Sequence, residues 1–559
     1  MNGAHALIET LVRSGIEVCF ANPGTSEMQL VQAIDQIPGM QPILALFEGV
    51  VTGAADGYAR MARKPACTLL HLGPGLANGV ANLHNARKAL SPIVNVVGDH
   101  ATDHVRLDAP LTSDIEGIAR PVSHWVRSAA SPADLPRLGA EAVAVAGNVP
   151  GKIATLLAPA DCAWTELPAQ YVPPVLPARA ALPSVPSTQI DLVAKALRQA
   201  RHPVLLLGGE GLLGEGARQA GRIAAALPIR LQAETFNRRL ERGAGRVPIG
   251  ILPYFGERAL ELLNGADLIV LAGAKRPVAF FAYPGKPSVL VPPGCEVVTL
   301  AGPSDDAGAA LAALADALNA PAVPRVFQSA VEIPAVSGLL DGQLAARVIA
   351  RCLPEGAIVV DEAVTCSLPS QAASLGAPPH DWLQLMGGAI GNGLPLAVGA
   401  AVACPQRKVI CLEGDGSAMY TVQALWTMAR EKLDVINVIF ANRSYAILNI
   451  EFERVGVGAP GPRALSMLDI GNPALRWTEI ARGMGVNSER VETAEALEAV
   501  FRSMLKTHGP HLIEVVIWHP GAKIPCHPRQ RPRLQRHSIR SDARFKQRPS
   551  IQSCDCSRL

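Results

Sequence analysis

The sequence contains no uninterrupted apolar run of the ~18–20 residues that a membrane-spanning helix needs, so none is expected. None of its eleven cysteines forms a CxxC pair; the nearest two, Cys554 and Cys556, make a C-x-C near the C-terminal end. That removes the CxxC-based redox and zinc readings. No internal repeat of about 20–50 residues is found, so a solenoid is not expected. Gly (50) and Pro (46) follow no period, which excludes a collagen-like chain. Charged residues are only 18% while hydrophobic residues are 49%, so 559 residues can bury several cores and the chain as a whole is not disordered.

The formal net charge of +3 conceals a segregation. Residues 521–559 hold ten Lys/Arg against Asp542 and Asp555, whereas residues 1–520 hold 41 basic and 46 acidic residues. The body is mildly acidic and all the excess basicity lies in one segment. Its Arg residues are scattered among Pro, Gln and Ser, which reads as a solvated, disordered tail. A nucleic-acid partner is not expected. Residues 1–18 carry Glu9 and Arg13 inside a helical pattern and read as a helix, not an export signal. On that reading the chain is cytoplasmic and its cysteines are reduced thiols.

Two proline-rich stretches, 171–186 and 320–334, read as linkers. They suggest three blocks, 1–170, 187–320 and 338–520, followed by the basic tail 521–559. Each block alternates short apolar runs with amphipathic helical patterns. Strands are expected at 18–20, 43–47, 66–72 and 93–97, then at 204–207, 268–272 and 296–300, then at 357–360, 409–412, 436–440 and 512–516. Helices are expected at 50–63, 79–89 and 421–430. The alternation predicts an α/β chain with three Rossmann-like, doubly wound and mainly parallel sheets. In such sheets ligands bind beyond the carboxyl ends of the strands, so chemistry is sought in the loops that follow them.

The strongest signal follows strand 409–412. It reads Glu413-Gly414-Asp415-Gly416-Ser417, and after a helix and another strand comes Asn442. A strand–helix–strand crossover brings both strand-end loops to one crevice. One carboxylate, one amide oxygen and a nearby carbonyl form a hard oxygen set suited to Mg²⁺ with a bound diphosphate. Free amides at Gly416 and Ser417 would cradle phosphate oxygens. The bland alternative is a strand-end turn built from Asp and Gly. A second candidate is Glu48, which closes strand 43–47; partial desolvation there would favour a proton it can share. It reads equally as a first-turn acid on the next helix. A third is the glycine-rich segment 386–395, which also suits a plain helix entry. Gly209-Glu210-Gly211-Leu212-Leu213-Gly214 fits GxGxxG, a weak signal alone. His100 and His104 with Asp99 and Asp103 imitate a metal cluster but read better as a polar loop. In the tail, Cys526, Cys554 and Cys556 with His527 and His537 are too irregularly spaced for a zinc site.

The GDG string and the spaced Asn442 resemble the thiamine diphosphate signature, in which Asp415, Asn442 and the carbonyl of Ser444 would hold Mg²⁺. The family usually shows two Asn; here the first is Ala441. The string from Glu48 through Ala-Asp-Gly-Tyr-Ala-Arg at 55–60 resembles the family's pyrimidine-binding domain, where Glu hydrogen-bonds N1′ of the cofactor. By the same resemblance Ile390 is the apolar wedge under the bent cofactor and the Gly388 carbonyl accepts from its 4′-amino group. Thr365 and the Gly414–Ser417 turn complete the cofactor contacts. The resemblance spans nearly all of residues 1–520. It implies addition of the cofactor's C2 carbanion to a 2-keto acid, loss of CO₂, then protonation or carboligation of the enamine. It also implies a homodimer or homotetramer with sites between subunits.

Among family members the chain resembles benzoylformate decarboxylase, through Asn22-Pro23-Gly24-Thr25-Ser26-Glu27, Leu70-His71 and the GDG segment. That similarity gives Thr25 to the substrate carboxylate and His71 to proton transfer, although a lone strand-end His reads equally as structural. A second active-site His of that enzyme is replaced here by Phe280 or Phe281, which removes a proton donor and gives the pocket an aromatic wall. Acetolactate synthase is the alternative: Gly73-Pro74-Gly75-Leu76-Ala77-Asn78 resembles its GPGATN string. Its flavin-binding string has no counterpart, so FAD is not expected. A cofactor-binding paralogue without turnover is a further alternative, and it would have lost Glu48 or Asp415.

Overall fold

A computed structural model describes residues 1–177 and 181–518. The basic segment 521–559, with the cysteines and histidines considered above, lies outside the described residues. Long stretches of Val, Ile and Leu with no alternation make strands that are buried on both faces, and such strands pair in parallel. The strands of the first block are β1 (Val18–Asn22), β2 (Gln41–Leu44), β3 (Ala66–Leu70), β4 (Ile93–Asp99), β5 (Trp125–Ser128) and β6 (Ile153–Pro159), of which β3, β4 and β6 are of this kind and the edge strands β2 and β5 are partly exposed. They form a fully parallel sheet in the order β2-β1-β3-β4-β6-β5. The next block contributes β7 (Pro203–Leu207), β8 (Arg230–Ala233), β9 (Leu240–Arg242), β10 (Gly250–Ile251), β11 (Leu268–Ala272) and β12 (Glu296–Ala301). The last contributes β13 (Ile358–Glu362), β14 (His380–Gln384), β15 (Val409–Gly414), β16 (Val435–Ala441), β17 (Asn487–Val491) and β18 (His511–Val516).

The middle sheet is parallel, ordered β10-β8-β7-β11-β12. The third runs β17-β18-β16-β15-β13-β14-β9, and its last strand is unexpected. β9 comes from the middle block and pairs antiparallel with β14. Three residues of edge pairing are anchored by charge: Arg239 donates to Asp381 at 2.7 Å, and Arg407 binds the same carboxylate at 2.5 Å. No periodicity in so short a segment announces this.

Element ends also shift from expectation. β2 stops at Leu44, and after the exposed Leu46 and half-buried Phe47 the chain turns into the helix Glu48–Ala62. Glu48 is therefore the first residue of a helix, not the last of a strand. The helix expected from 79 begins at Leu72. Pro74 falls in its first turn, where a missing N–H is no loss. The helix expected at 421–430 is split into Asp415–Ala418, a 3₁₀ turn Met419–Thr421 and Ala424–Arg430.

The first and third sheets are joined through helices. Glu48–Ala62 crosses Gly393–Ala403 so closely that a Cβ at Gly399 would lie 1.9 Å from the Ala54 carbonyl oxygen, and one at Gly57 2.1 Å from that of Leu396. Only glycine permits this backbone approach. Buried Arg60 pairs with Asp56 at 2.5 Å and donates to the Gln384 carbonyl at 2.7 Å. Among the described residues no helix is long and apolar enough to cross a membrane.

Candidate active site

In the first sheet β2, β1 and β3 are neighbours, with Ala21 opposite Leu44 and Asn22 opposite Leu70. Their carboxyl ends therefore bring together three loops: 22–27, 45–48 and the turn at His71. Glu48 is buried and receives one amide on each oxygen, from Asn22 at 3.1 Å and Asn78 at 2.9 Å. His71 caps the helix Leu72–Ala89, and its Nδ1 lies 2.8 Å from Oε2 of the fully buried Glu27. The same carboxylate accepts the Gly24 amide at 2.7 Å and the Ser26 hydroxyl at 2.8 Å. The carboxylate holds the imidazole by Nδ1, and Nε2 has no hydrogen-bond partner among the described residues. The next residue, Leu72, has φ +48°, an uncommon conformation for a non-glycine residue that gathers at functional sites.

Thr25 is exposed on this turn, and the hydroxyl beside His71 is that of Ser26, 3.4 Å from Nδ1. Ser26, Glu27, Asn22 and Asn78 carried no role in the sequence reading. The signal was present in Asn22-Pro23-Gly24-Thr25-Ser26-Glu27, but Glu27 meets His71 only through the β1–β3 pairing.

In the third sheet β13, β15 and β16 are neighbours, with Glu362 opposite Glu413 and Gly414 opposite Phe440. Asp415 follows β15 and Asn442 follows β16. The Arg443 amide donates to Asp415 Oδ2 at 2.7 Å, tying the two loops together. The Asn442 amide oxygen accepts from Ser444 N at 3.0 Å, and its Nδ2 faces Cys366 Sγ at 3.5 Å. Thr365 precedes this cysteine in the loop after β13, where Val364 has φ +47°. Burial pushes the Asp415 carboxyl up to about 6, because its charged form has lost water. Among the described residues nothing donates to the Ser444 carbonyl. Two adjoining strand-end loops thus carry three hard oxygen donors, one of them a desolvated carboxylate that a divalent cation would stabilise. No group of three His, Cys, Asp or Glu among the described residues could hold a metal, the His100–His104 loop included. Gly416 and Ser417 form the first turn after Asp415; the Ser417 hydroxyl donates to Glu413 Oε2 at 2.8 Å.

The segment 387–393 is held by the helix Leu72–Ala89 on one side and by Glu362 at the end of β13 on the other. Gly388 and Gly391 both have positive φ, +76° and +91°. The carbonyls of Gly387, Ala389 and Gly391 are taken by His84, Asn85 and Asn82 at 3.1, 2.7 and 3.1 Å. The Gly388 carbonyl between them has no donor among the described residues, and Gly388 is exposed. Ile390 beside it is half-buried. A Cβ on Gly388 would lie 2.7 Å from Phe280 Cζ, so this ring stands against the loop. Phe280 contacts Phe281, Phe236 and Tyr254 at centroid distances of 4.7, 5.5 and 5.5 Å. Phe236 and Tyr254 were not anticipated, since they lie 44 and 26 residues before Phe280. The aromatic group borders a cavity of about 390 Å³ over the carboxyl edge of the middle sheet, which also touches Gly209, Glu234 and Met386.

The residues fit a diphosphate cofactor with a cation: three oxygen donors lie on adjoining strand-end loops of the third sheet, and the segment 387–393 offers an open carbonyl near an apolar side chain. Residues 1–118 match the thiamine pyrophosphate enzyme N-terminal TPP-binding domain, and residues 365–515 match the C-terminal TPP-binding domain. A Mycobacterium tuberculosis protein named "Putative acetolactate synthase large subunit IlvX" is 52% identical, across 92% of this chain and 99% of its own. Benzoylformate decarboxylase of Pseudomonas aeruginosa is 32% identical, across 91% of this chain and 98% of its own. The solved thiamine diphosphate-dependent 4-hydroxybenzoylformate decarboxylase of Rhodococcus jostii RHA1 superposes with a TM-score of 0.79 at 25% identity, covering 92% of this chain and 99% of that one. The chain therefore belongs to the thiamine pyrophosphate-dependent enzyme family, and the loops at the carboxyl ends of its first and third sheets are where that cofactor is to be sought.

Proposed function

We propose that the protein is a thiamine diphosphate- and Mg²⁺-dependent lyase that decarboxylates a 2-keto acid. One observation carries this reading: Asp415, Asn442 and the open Ser444 carbonyl lie on adjoining strand-end loops that the Arg443 amide ties together, while Glu48 and the His71–Glu27 pair occupy the carboxyl edge of the first sheet. Residues 1–170 form the pyrimidine-binding domain, 187–320 the central domain and 338–520 the diphosphate and Mg²⁺ domain. When bound, the cofactor supplies a nucleophilic carbon and an electron sink for the departing CO₂. Asp415, Asn442 and Ser444 hold the cation, and Gly414, Gly416, Ser417 and Thr365 surround the phosphates. The Gly388 carbonyl and Ile390 orient the rings. Glu48, kept in place by Asn22 and Asn78, holds the proton that the pyrimidine exchanges. His71 moves a proton at Nε2, and Thr25, with Ser26 beside it, receives the substrate carboxylate. The active form is a homodimer or homotetramer whose chains complete each other's sites.

A second reading, carboligation onto another carbonyl, is favoured by a specific observation. Phe280 and Phe281 stand near the Gly388 loop where a decarboxylase resemblance expects a second histidine. With one proton donor fewer, protonation slows and a carbonyl acceptor competes. The M. tuberculosis relative bears an acetolactate synthase name, which agrees with this outcome.

The test is a CO₂-release screen over pyruvate and branched and aromatic 2-keto acids, with product identification. Release that requires both thiamine diphosphate and Mg²⁺ is expected. Aldehyde as product selects the first reading and a 2-hydroxyketone or 2-hydroxy-2-methyl-3-keto acid the second. Failure of the protein to take up thiamine diphosphate would sink both.

A further inference from the structure

Beneath the segment 387–393 lies a carboxylate that none of these roles uses. Glu362 ends β13, is 2% exposed, and points both oxygens at the loop above it. Oε1 accepts the Gly391 amide at 2.9 Å and Oε2 the Gly393 amide at 2.6 Å. One side chain thus brackets Asn392 on both sides. Its cross-strand neighbour Glu413 is fully buried against the same turn: a Cβ on Gly393 would lie 2.0 Å from Glu413 Oε1. The other oxygen of Glu413 accepts the Ser417 hydroxyl. The two strand-end carboxyl groups therefore span from the Gly391–Gly393 turn, next after Ile390, to the turn carrying Asp415.

Ordinary packing does not ask for this. Burying an acid is unfavourable unless it is hydrogen-bonded, and an apolar side chain would fill the space without that penalty. The loop, however, contains two left-handed glycines and no ladder partner, and its buried amides need acceptors. An acid side chain supplies two acceptor oxygens at a fixed spacing. From the other side Asn82 and Thr421 hold the Gly391 carbonyl at 3.1 and 3.0 Å. Gly391 is thus gripped at both its N–H and its C=O, immediately after Ile390.

From this geometry we infer that Glu362 is a positioning residue of the cofactor site. By clamping the Gly391 and Gly393 amides it fixes the height of Ile390 and the direction of the Gly388 carbonyl relative to the Asp415 turn. The inference rests on reading 387–393 as the loop that bends the cofactor.

The test uses the full-length protein and its Glu362→Gln variant, which keeps the side-chain shape but turns one acceptor into a donor. Hydrogen exchange is followed in the cofactor-free proteins over 387–393, with β6 as internal reference. Thiamine diphosphate affinity is measured calorimetrically with Mg²⁺ present. In E362Q, exchange in 387–393 is expected to quicken about tenfold, as for loss of one buried hydrogen bond, with β6 unchanged. Cofactor affinity is expected to fall by about the same factor, and kcat at saturating cofactor by less. Should E362Q fail to fold, Glu362→Asp, which withdraws the carboxylate by one methylene, is read in the same assays with the same expected direction. Fast exchange of the Gly391 and Gly393 amides in the unsubstituted protein would overturn the clamp without any variant. Normal cofactor uptake with unchanged exchange in the variant would overturn the role of Glu362 alone. Absence of uptake by the unsubstituted protein would overturn the site reading and the positioning role with it.

Discussion

Glu48 and Asp415 are both buried carboxylates at the carboxyl edge of a parallel sheet, yet they are held in different ways. Glu48 is fixed by two side-chain amides, Asn22 at the end of β1 and Asn78 in the helix Leu72–Ala89. Asp415 is fixed by backbone: the Arg443 amide of the next strand-end loop closes on it. A side-chain clasp tunes one group and can be altered one residue at a time. A backbone clasp is part of the turn itself, and it ties the loop of Asp415 to the loop that carries Asn442 and Ser444. The first arrangement suits control of a proton and the second suits rigid coordination of a cation.

The comparison can be broken in several ways. The largest effect is expected from Glu48→Gln, which should lower turnover by about 10²–10⁴-fold. Cofactor binding should survive; steady-state CO₂ release and calorimetry on one preparation separate the two, and near-normal turnover would remove Glu48 from the proton path. Asp415→Ala should instead act on binding, weakening Mg²⁺-dependent cofactor uptake by about 10²-fold. Uptake equal to that of the unsubstituted protein would show that the cation is held elsewhere. His71→Ala should slow product formation by roughly 10–100-fold with cofactor affinity unchanged; identical kinetics would make His71 a helix cap only. Glu27→Gln, which keeps the imidazole but weakens its partner, should fall between His71→Ala and no effect.

The smallest effect is the dependence on pH. The Asp415 carboxyl is held up to about 6 by burial, above its value in the unfolded chain. The cation-free folded form therefore retains a proton that the unfolded chain has lost between about pH 4 and 6. Its contribution to stability declines as pH rises through that window. Cation binding needs the ionised form, so apparent Mg²⁺ affinity should rise up to about tenfold per pH unit below about 6 and level off above. Titrations at pH 5, 6 and 7 check this, and an affinity flat across them would place the ionisation outside the site.

Much of this was legible beforehand, for identifiable reasons. Continuous apolar runs such as 409–412 and 436–440 can hardly be anything but buried parallel strands, so Asp415 and Asn442 could be placed at neighbouring strand ends. Glu48 was found by its string, although its place on the helix instead of the strand depended on where β2 lost its partner. β9 was not visible, because three residues carry no period and their pairing depends on Arg239 and Arg407 meeting at Asp381.

The amino-acid order alone determined the three parallel-sheet units and the family, because hydrophobic runs and closely spaced glycines and acids act over short stretches of chain. Only the tertiary structure decided that Glu27 would grip His71, that Phe236 would join Phe280, and that Glu362 would bracket Gly391 and Gly393. Those partners lie 29 to 44 residues apart. Over such separations hydrogen bonds and ring contacts form only after sheet order has chosen which strand ends stand side by side.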